Sequence, residues 1–124
     1  MAVTLFERLG GAESVFRIVN RMYDLVLADE ELSPFFENVE TERLRKMQFE
    51  FIASALGGPV AYSGGELQAV HQGKGITAQH FAKFVGHLAT AMEEHQASPQ
   101  DVDEMLGQIA IYKDRIVGDA NVDG

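Results

Sequence analysis

Three polar residues of this chain stand at positions where chemistry is easier to explain than packing. His71 lies four residues after Leu67, so the two side chains share one face of a short helix. Gly73 and Gly75 break the chain straight after it. An imidazole fixed in this way presents one ring nitrogen to a metal while a partner holds the other. The bland alternative is an ordinary half-buried histidine. Gln48 falls between Leu44 and Ile52 in an apolar stripe, and Tyr23 falls between Val19 and Leu27. A buried amide or hydroxyl left unpaired is costly, at about 1–3 kcal/mol. Two readings of that pair stand. They bond each other or backbone, or they point into a cavity and donate to a small polar ligand above a metal.

The elements that must position these residues follow from periodicity. Thr4 and Glu7 have capping-box spacing ahead of the Gly10-Gly11 break. Val15, Val19, Met22 and Val26, flanked by Phe16, Tyr23 and Leu27, predict a helix over 12–28. Ser33-Pro34 reads as a cap and first-turn proline before Phe35 and Phe36. Leu44, Met47, Phe51, Ile52 and Ala55 predict a helix over 40–56, stopped by Gly57-Gly58-Pro59. Residues 59–65 read as loop and 66–72 as a short helix. Thr77 caps a helix carrying Phe81, Phe84, Val85, Leu88 and Met92. Ser98-Pro99 opens a last helix over 99–117 that buries Val102, Met105, Leu106, Ile109, Tyr112 and Ile116. No segment alternates like a strand, so the fold class is all-α. A plain four-helix bundle wants short connectors, whereas residues 57–76 form a long, glycine-broken one, which usually has a functional reason.

Composition narrows the function. A chain of 124 residues with 46% apolar content makes one domain with one core. Residues 1–118 are expected to form it, with 119–124 a polar tail. The formal charge of −9 disfavours nucleic acid and anionic membranes. No apolar run is long enough to cross a bilayer, and the N-terminus lacks the pattern of a secretory signal. A cytoplasmic monomer is expected. Without cysteine, thiolate ligands are excluded, leaving histidines, carboxylates, tyrosines and methionines as candidate metal ligands.

Several motifs in order carry a family resemblance. They are Gly10-Gly11, Met22-Tyr23, Val26-Leu27-Ala28-Asp29, Leu32-Ser33-Pro34-Phe35-Phe36, Ala55-Leu56-Gly57-Gly58-Pro59, Tyr62-Ser63-Gly64 and Val70-His71-Gln72-Gly73-Lys74-Gly75-Ile76-Thr77. Over nearly its whole length the chain resembles the group I truncated haemoglobins. The resemblance implies a truncated globin-like, two-over-two helical sandwich around haem b (iron protoporphyrin IX). The helices 12–28 and 40–56 would form one antiparallel pair, and 77–95 and 99–117 the other. His71 would be the proximal iron ligand, leaving the opposite position for a gas. Tyr23 and Gln48 would be distal donors, with Leu44 beside them unable to donate. Phe36 would wedge against the haem face with Phe35 next to it. Met47 stands where some cyanobacterial relatives carry an iron-binding histidine, so that capped state is not expected. Tyr62 and Lys74 would approach the propionates. Leu67, Ile76, Phe81, Val85, Met105 and Ile109 would line the pocket, roles that overlap with ordinary core. Phe51 and Ile52 stand where relatives gate a gas tunnel, and Ile52 replaces a gating phenylalanine. His80, His87 and His95 match no ligand position.

The resemblance thus implies a haem protein that reversibly binds oxygen and other diatomic gases, O2, NO and CO. The alternative within it is nitric oxide dioxygenation, which needs an electron-donating reductase. A cofactor-free helical interaction module is the rival of another class.

Overall fold

A computed structural model describes residues 3–37, 39–59 and 75–113. They fold into α1 (Leu5–Arg8), α2 (Gly11–Ala28), a 3₁₀ turn at Ser33–Phe36, α3 (Thr41–Ala55), α4 (Ala78–Glu94) and α5 (Pro99–Ala110). No strand occurs among the described residues.

The helix starts are written in local chemistry. Thr4 Oγ1 accepts from Glu7 N at 3.1 Å while the Glu7 carboxylate accepts from Thr4 N at 3.3 Å. Thr77 and His80 make the same reciprocal box at the start of α4, both bonds 3.1 Å, with imidazole Nδ1 accepting from Thr77 N. Ser98 caps α5 by accepting from Asp101 N at 3.1 Å. Each box satisfies donors that the first helical turn leaves without an intrahelical partner.

Ser33 departs from expectation. It makes no capping bond and lies inside the 3₁₀ turn, whose cap position is Leu32. Asp29 organises this corner instead. Its backbone carbonyl accepts from Leu32 N and Ser33 N, and its carboxylate accepts from Glu31 N at 2.9 Å.

The end of α5 also differs. The regular helix stops at Ala110, where Tyr112 N bonds Ile109 O at 3.0 Å, a tightened last turn. Ile111 is 73% exposed, whereas Tyr112 packs against the core. Ile116 lies outside the described residues.

The core follows the seams of these helices. α2 packs against both α3 and α4, and α4 against α5, so the members of each expected helix pair are in contact and α2 also touches the second pair. Val15, Ile18, Val19, Met22, Tyr23 and Val26 form the buried face of α2. Phe81, Val85, Leu88, Ala91 and Met92 form that of α4. Val102, Met105 and Ile109 are the seam of α5. Leu106, one residue off that seam, is 39% exposed rather than buried. Phe16, one residue off the α2 seam, is 45% exposed and meets Phe49 edge-on at 5.6 Å.

The Gly57-Gly58 break after α3 is a docking surface for α1. Phe6 N bonds Leu56 O at 3.0 Å. Gly57 has φ +90°, and a Cβ on Gly58 would fall 2.6 Å from the Phe6 ring. Only a chain without side chains lets α1 approach this closely.

Candidate functional site

Tyr23 is the hub of the interior. It is fully buried in the middle of α2. Its ring meets Phe36 of the 3₁₀ turn edge-on at 5.7 Å and Phe84 of α4 at 6.2 Å. The guanidinium carbon of Arg45, from α3, lies 5.8 Å from its centroid. One side chain of α2 thus touches three other elements, which follows from α2 being shared between the two helix pairs.

Gln48 stands on α3 four residues after Leu44, so the two lie on one face. Its Oε1 is buried and has no hydrogen-bond partner among the described residues. Half a turn of the amide about its last torsion exchanges oxygen for NH2 at the same place, so this buried position offers a donor equally well. Leu44, Met47, Phe35 and Phe36 are half-buried, as is Ile76 at the approach to α4. Phe35 packs edge-on to His80 at 4.9 Å.

The other predicted lining residues sit deeper. Phe51, Ile52, Phe81, Val85, Met105 and Ile109 are buried in the core cluster. Phe51 also meets Tyr112 edge-on at 5.1 Å. His71, Tyr62, Leu67 and Lys74 lie outside the described residues.

The remaining histidines have partners unconnected with Tyr23 or Gln48. His80 completes the cap of α4. His95 Nδ1 lies 3.0 Å from Ala91 O. His87 Nε2 is 2.8 Å from Asp29 Oδ2, and Lys83 Nζ is 3.1 Å from the same oxygen. Lys83 also pairs with Glu31 at 2.9 Å. The His87 bond, the Glu31 N–H and the Lys83 ammonium together hold the Asp29 carboxyl down at about 2, against the opposing effect of its burial. The two carboxylates correspondingly raise the Lys83 ammonium. This cluster fastens the C-terminal end of α2 to α4. Among the described residues no group of three histidines, cysteines or carboxylates could hold a bare metal ion.

Arg45, Phe84 and Asp29 carry much of this geometry without having stood out in the sequence. Phe84 was visible as a helical neighbour of Phe81. Arg45 was hidden among Arg43 and Lys46, a run that looks like a solvated face.

Residues 4–117 match the bacterial-like globin family. The group 1 truncated haemoglobin GlbN of Mycolicibacterium paratuberculosis is 45% identical over 107 residues, which is 86% of this chain and 79% of that protein. The chain belongs to the group 1 truncated haemoglobins. The truncated haemoglobin of Tetrahymena pyriformis, solved in its Fe(III) form, superposes with a TM-score of 0.90 at 29% identity, covering 94% of this chain and 99% of that one. A 2/2 haemoglobin from Synechococcus, solved in the cyanomet state with covalently attached haem, gives 0.80 at 31% identity, covering 87% and 91%.

A haem is the cofactor this family implies, and the interior fits one. A planar apolar group needs half-buried apolar walls, which Leu44, Met47, Phe36 and Ile76 supply. The Gln48 Oε1, buried and without a partner among the described residues, is an orphaned polar atom of the kind a pocket for a polar ligand leaves.

Proposed function

We propose that this protein binds diatomic gases, oxygen first among them, on a ferrous haem b held by His71, with Tyr23 and Gln48 as the donors that retain the gas. His71 would hold the haem, and the haem would supply an iron able to take a diatomic gas. The observation that carries the reading is a buried tyrosine and a buried amide end without a partner among the described residues, on two helices that Arg45 ties together.

The work of the chain is positional. Edge-on contacts with Phe36 and Phe84 set the tilt of the Tyr23 ring, so its hydroxyl is aimed before any ligand arrives. Gln48 adds an amide donor from α3. Leu44 keeps the neighbouring position apolar and excludes water, which would compete for both donors. Met47 fills space as a flexible apolar side chain. In this reading Tyr62 and Lys74 would serve the haem propionates and Leu67 its apolar wall, and all three lie outside the described residues.

The deciding measurement is the visible spectrum of purified protein with His71→Ala beside it. Wild type is expected to show a strong Soret band. The variant should lose ordinary haem affinity and recover it in part with added imidazole. An unchanged spectrum in His71→Ala would overturn the assignment of the ligand. A colourless wild type after haem addition would overturn the reading altogether and favour a cofactor-free helical module.

A further inference from the structure

We infer that Arg45 is a positioning residue for gas retention: its guanidinium clamps one turn of α2 around Tyr23 and thereby fixes the tyrosine hydroxyl relative to Gln48. The inference rests on the gas-binding reading above.

Asn20, Tyr23 and Asp24 are spaced i, i+3 and i+4 on α2, so they form one patch on its surface. The planar fork of Arg45 spans that patch. Nη1 donates to Asn20 O at 2.9 Å and to Asn20 Oδ1 at 3.3 Å, while Nη2 donates to Asp24 Oδ1 at 3.1 Å. The cation between these anchors lies 5.8 Å from the Tyr23 centroid, within the range where a ring face attracts it. With Phe36 and Phe84 edge-on elsewhere, the ring is held by three different elements.

The α3 end of the clamp matters equally. Gln48 lies three residues after Arg45, so anchoring the guanidinium on α2 also sets the register of the turn that carries the amide. Arg43 and Lys46 are exposed, whereas Arg45 is half-buried. Of three cations in four positions, one is turned inward, and it is the one beside Tyr23. A lysine here would keep the charge, but a point ammonium cannot hold both ends of the helical turn as a planar fork does.

The test uses haem-loaded ferrous protein and compares Arg45→Met and Arg45→Lys, each with Tyr23 intact and with Tyr23→Phe. Arg45→Gln replaces Arg45→Met if the latter does not take up haem. With Tyr23 intact, Arg45→Met should speed oxygen release about three- to tenfold and carbon monoxide release by less than about twofold. The C–O stretch of the carbon monoxide complex should shift, since it reports the polar surroundings of the gas. In the Tyr23→Phe background the same substitution should leave oxygen release within about twofold, because the hydroxyl it positions is gone. Arg45→Lys should recover less than half of the effect.

Thermal unfolding of all forms separates a structural role, which would lower stability equally in both backgrounds without moving the stretch. The inference is overturned if Arg45→Met leaves oxygen release unchanged, raises oxygen and carbon monoxide release equally, or acts equally with and without the Tyr23 hydroxyl. Full rescue by lysine also overturns it, since charge alone would then suffice. If Tyr23→Phe by itself leaves oxygen release unchanged, the donor reading fails first and this inference falls with it.

Discussion

At the scale of single residues, Tyr23 and Gln48, the donors proposed above, make the sharpest predictions. A hydrogen bond to a partly charged group is worth about 1.5–3 kcal/mol, and each 1.4 kcal/mol is about tenfold in rate. Tyr23→Phe keeps the edge-on contacts with Phe36 and Phe84 and removes only the hydroxyl. Stopped-flow measurement should show oxygen release faster by roughly one to two orders of magnitude on that arithmetic, with a much smaller change for carbon monoxide. Equal acceleration of both gases would mean that the hydroxyl acts through access. Gln48→Leu should act in the same direction. Met47 and Leu44 offer no imidazole on this side, so the unliganded ferrous protein should be mainly five-coordinate. A low-spin bis-histidine spectrum would contradict that. Sequence alone marked Tyr23 and Gln48, because polar residues in an apolar stripe are visible as misfits. Arg45 was illegible for the converse reason: a cation in a charged run looks solvated until tertiary contact shows which way it turns.

At the scale of elements, helix starts were legible because their chemistry is local. Thr4 with Glu7, and Ser98 with Asp101, act within four residues and need no tertiary context. The Ser33 cap failed because Asp29 had already organised that corner, a competition that spacing does not reveal. Burial at seam edges, as for Phe16 and Leu106, depends on where the partner helix ends. The joint between α2 and α4 gives a pH prediction. Asp29 has its folded-state carboxyl depressed to about 2 by His87 first, against an unfolded value of about 3.9. A depressed carboxyl contributes stability that is complete above the unfolded value and lost as pH falls through the folded one. Wild type should therefore lose stability to urea progressively between about pH 4 and pH 2, and Asp29→Asn should flatten that limb. Parallel acid profiles for the two proteins would show that the cluster is not coupled to folding. Glycines give a pair of opposite sign. Gly58→Ala must displace the Phe6 ring and should cost about 1–3 kcal/mol. Gly86→Ala meets nothing within 4 Å in the exposed face of α4 and should add about 0.5–1 kcal/mol. Calorimetry on both variants checks the contrast.

At the scale of the whole molecule, half-buried walls tie stability to what they enclose. Leu44, Met47, Phe36 and Ile76 retain exposed apolar surface, and a cofactor that binds only the folded state adds stability by mass action. Removing haem should lower the melting temperature and raise binding of a hydrophobic dye, and adding haem back should reverse both. An apoprotein that melts at the same temperature would show that those walls enclose nothing of consequence. No helix among the described residues is long and apolar enough to cross a membrane. The position of α1 bears on the order in which the core is assembled. Arg8 donates to Asp101 at 3.1 Å and also pairs with Glu104, partners 93 and 96 residues away. The other dock of α1, Phe6 N on Leu56 O, joins residues 50 apart. A four-residue helix has no stability of its own, and contacts this distant form late. α1 precedes the other described helices, yet its ion pairs to α5 form only once residues 101–104 have been made. A chain halted in synthesis before residue 101 would hold α1 by its dock on Leu56 alone, and that loosened segment would offer quality-control proteases a mark of interrupted synthesis.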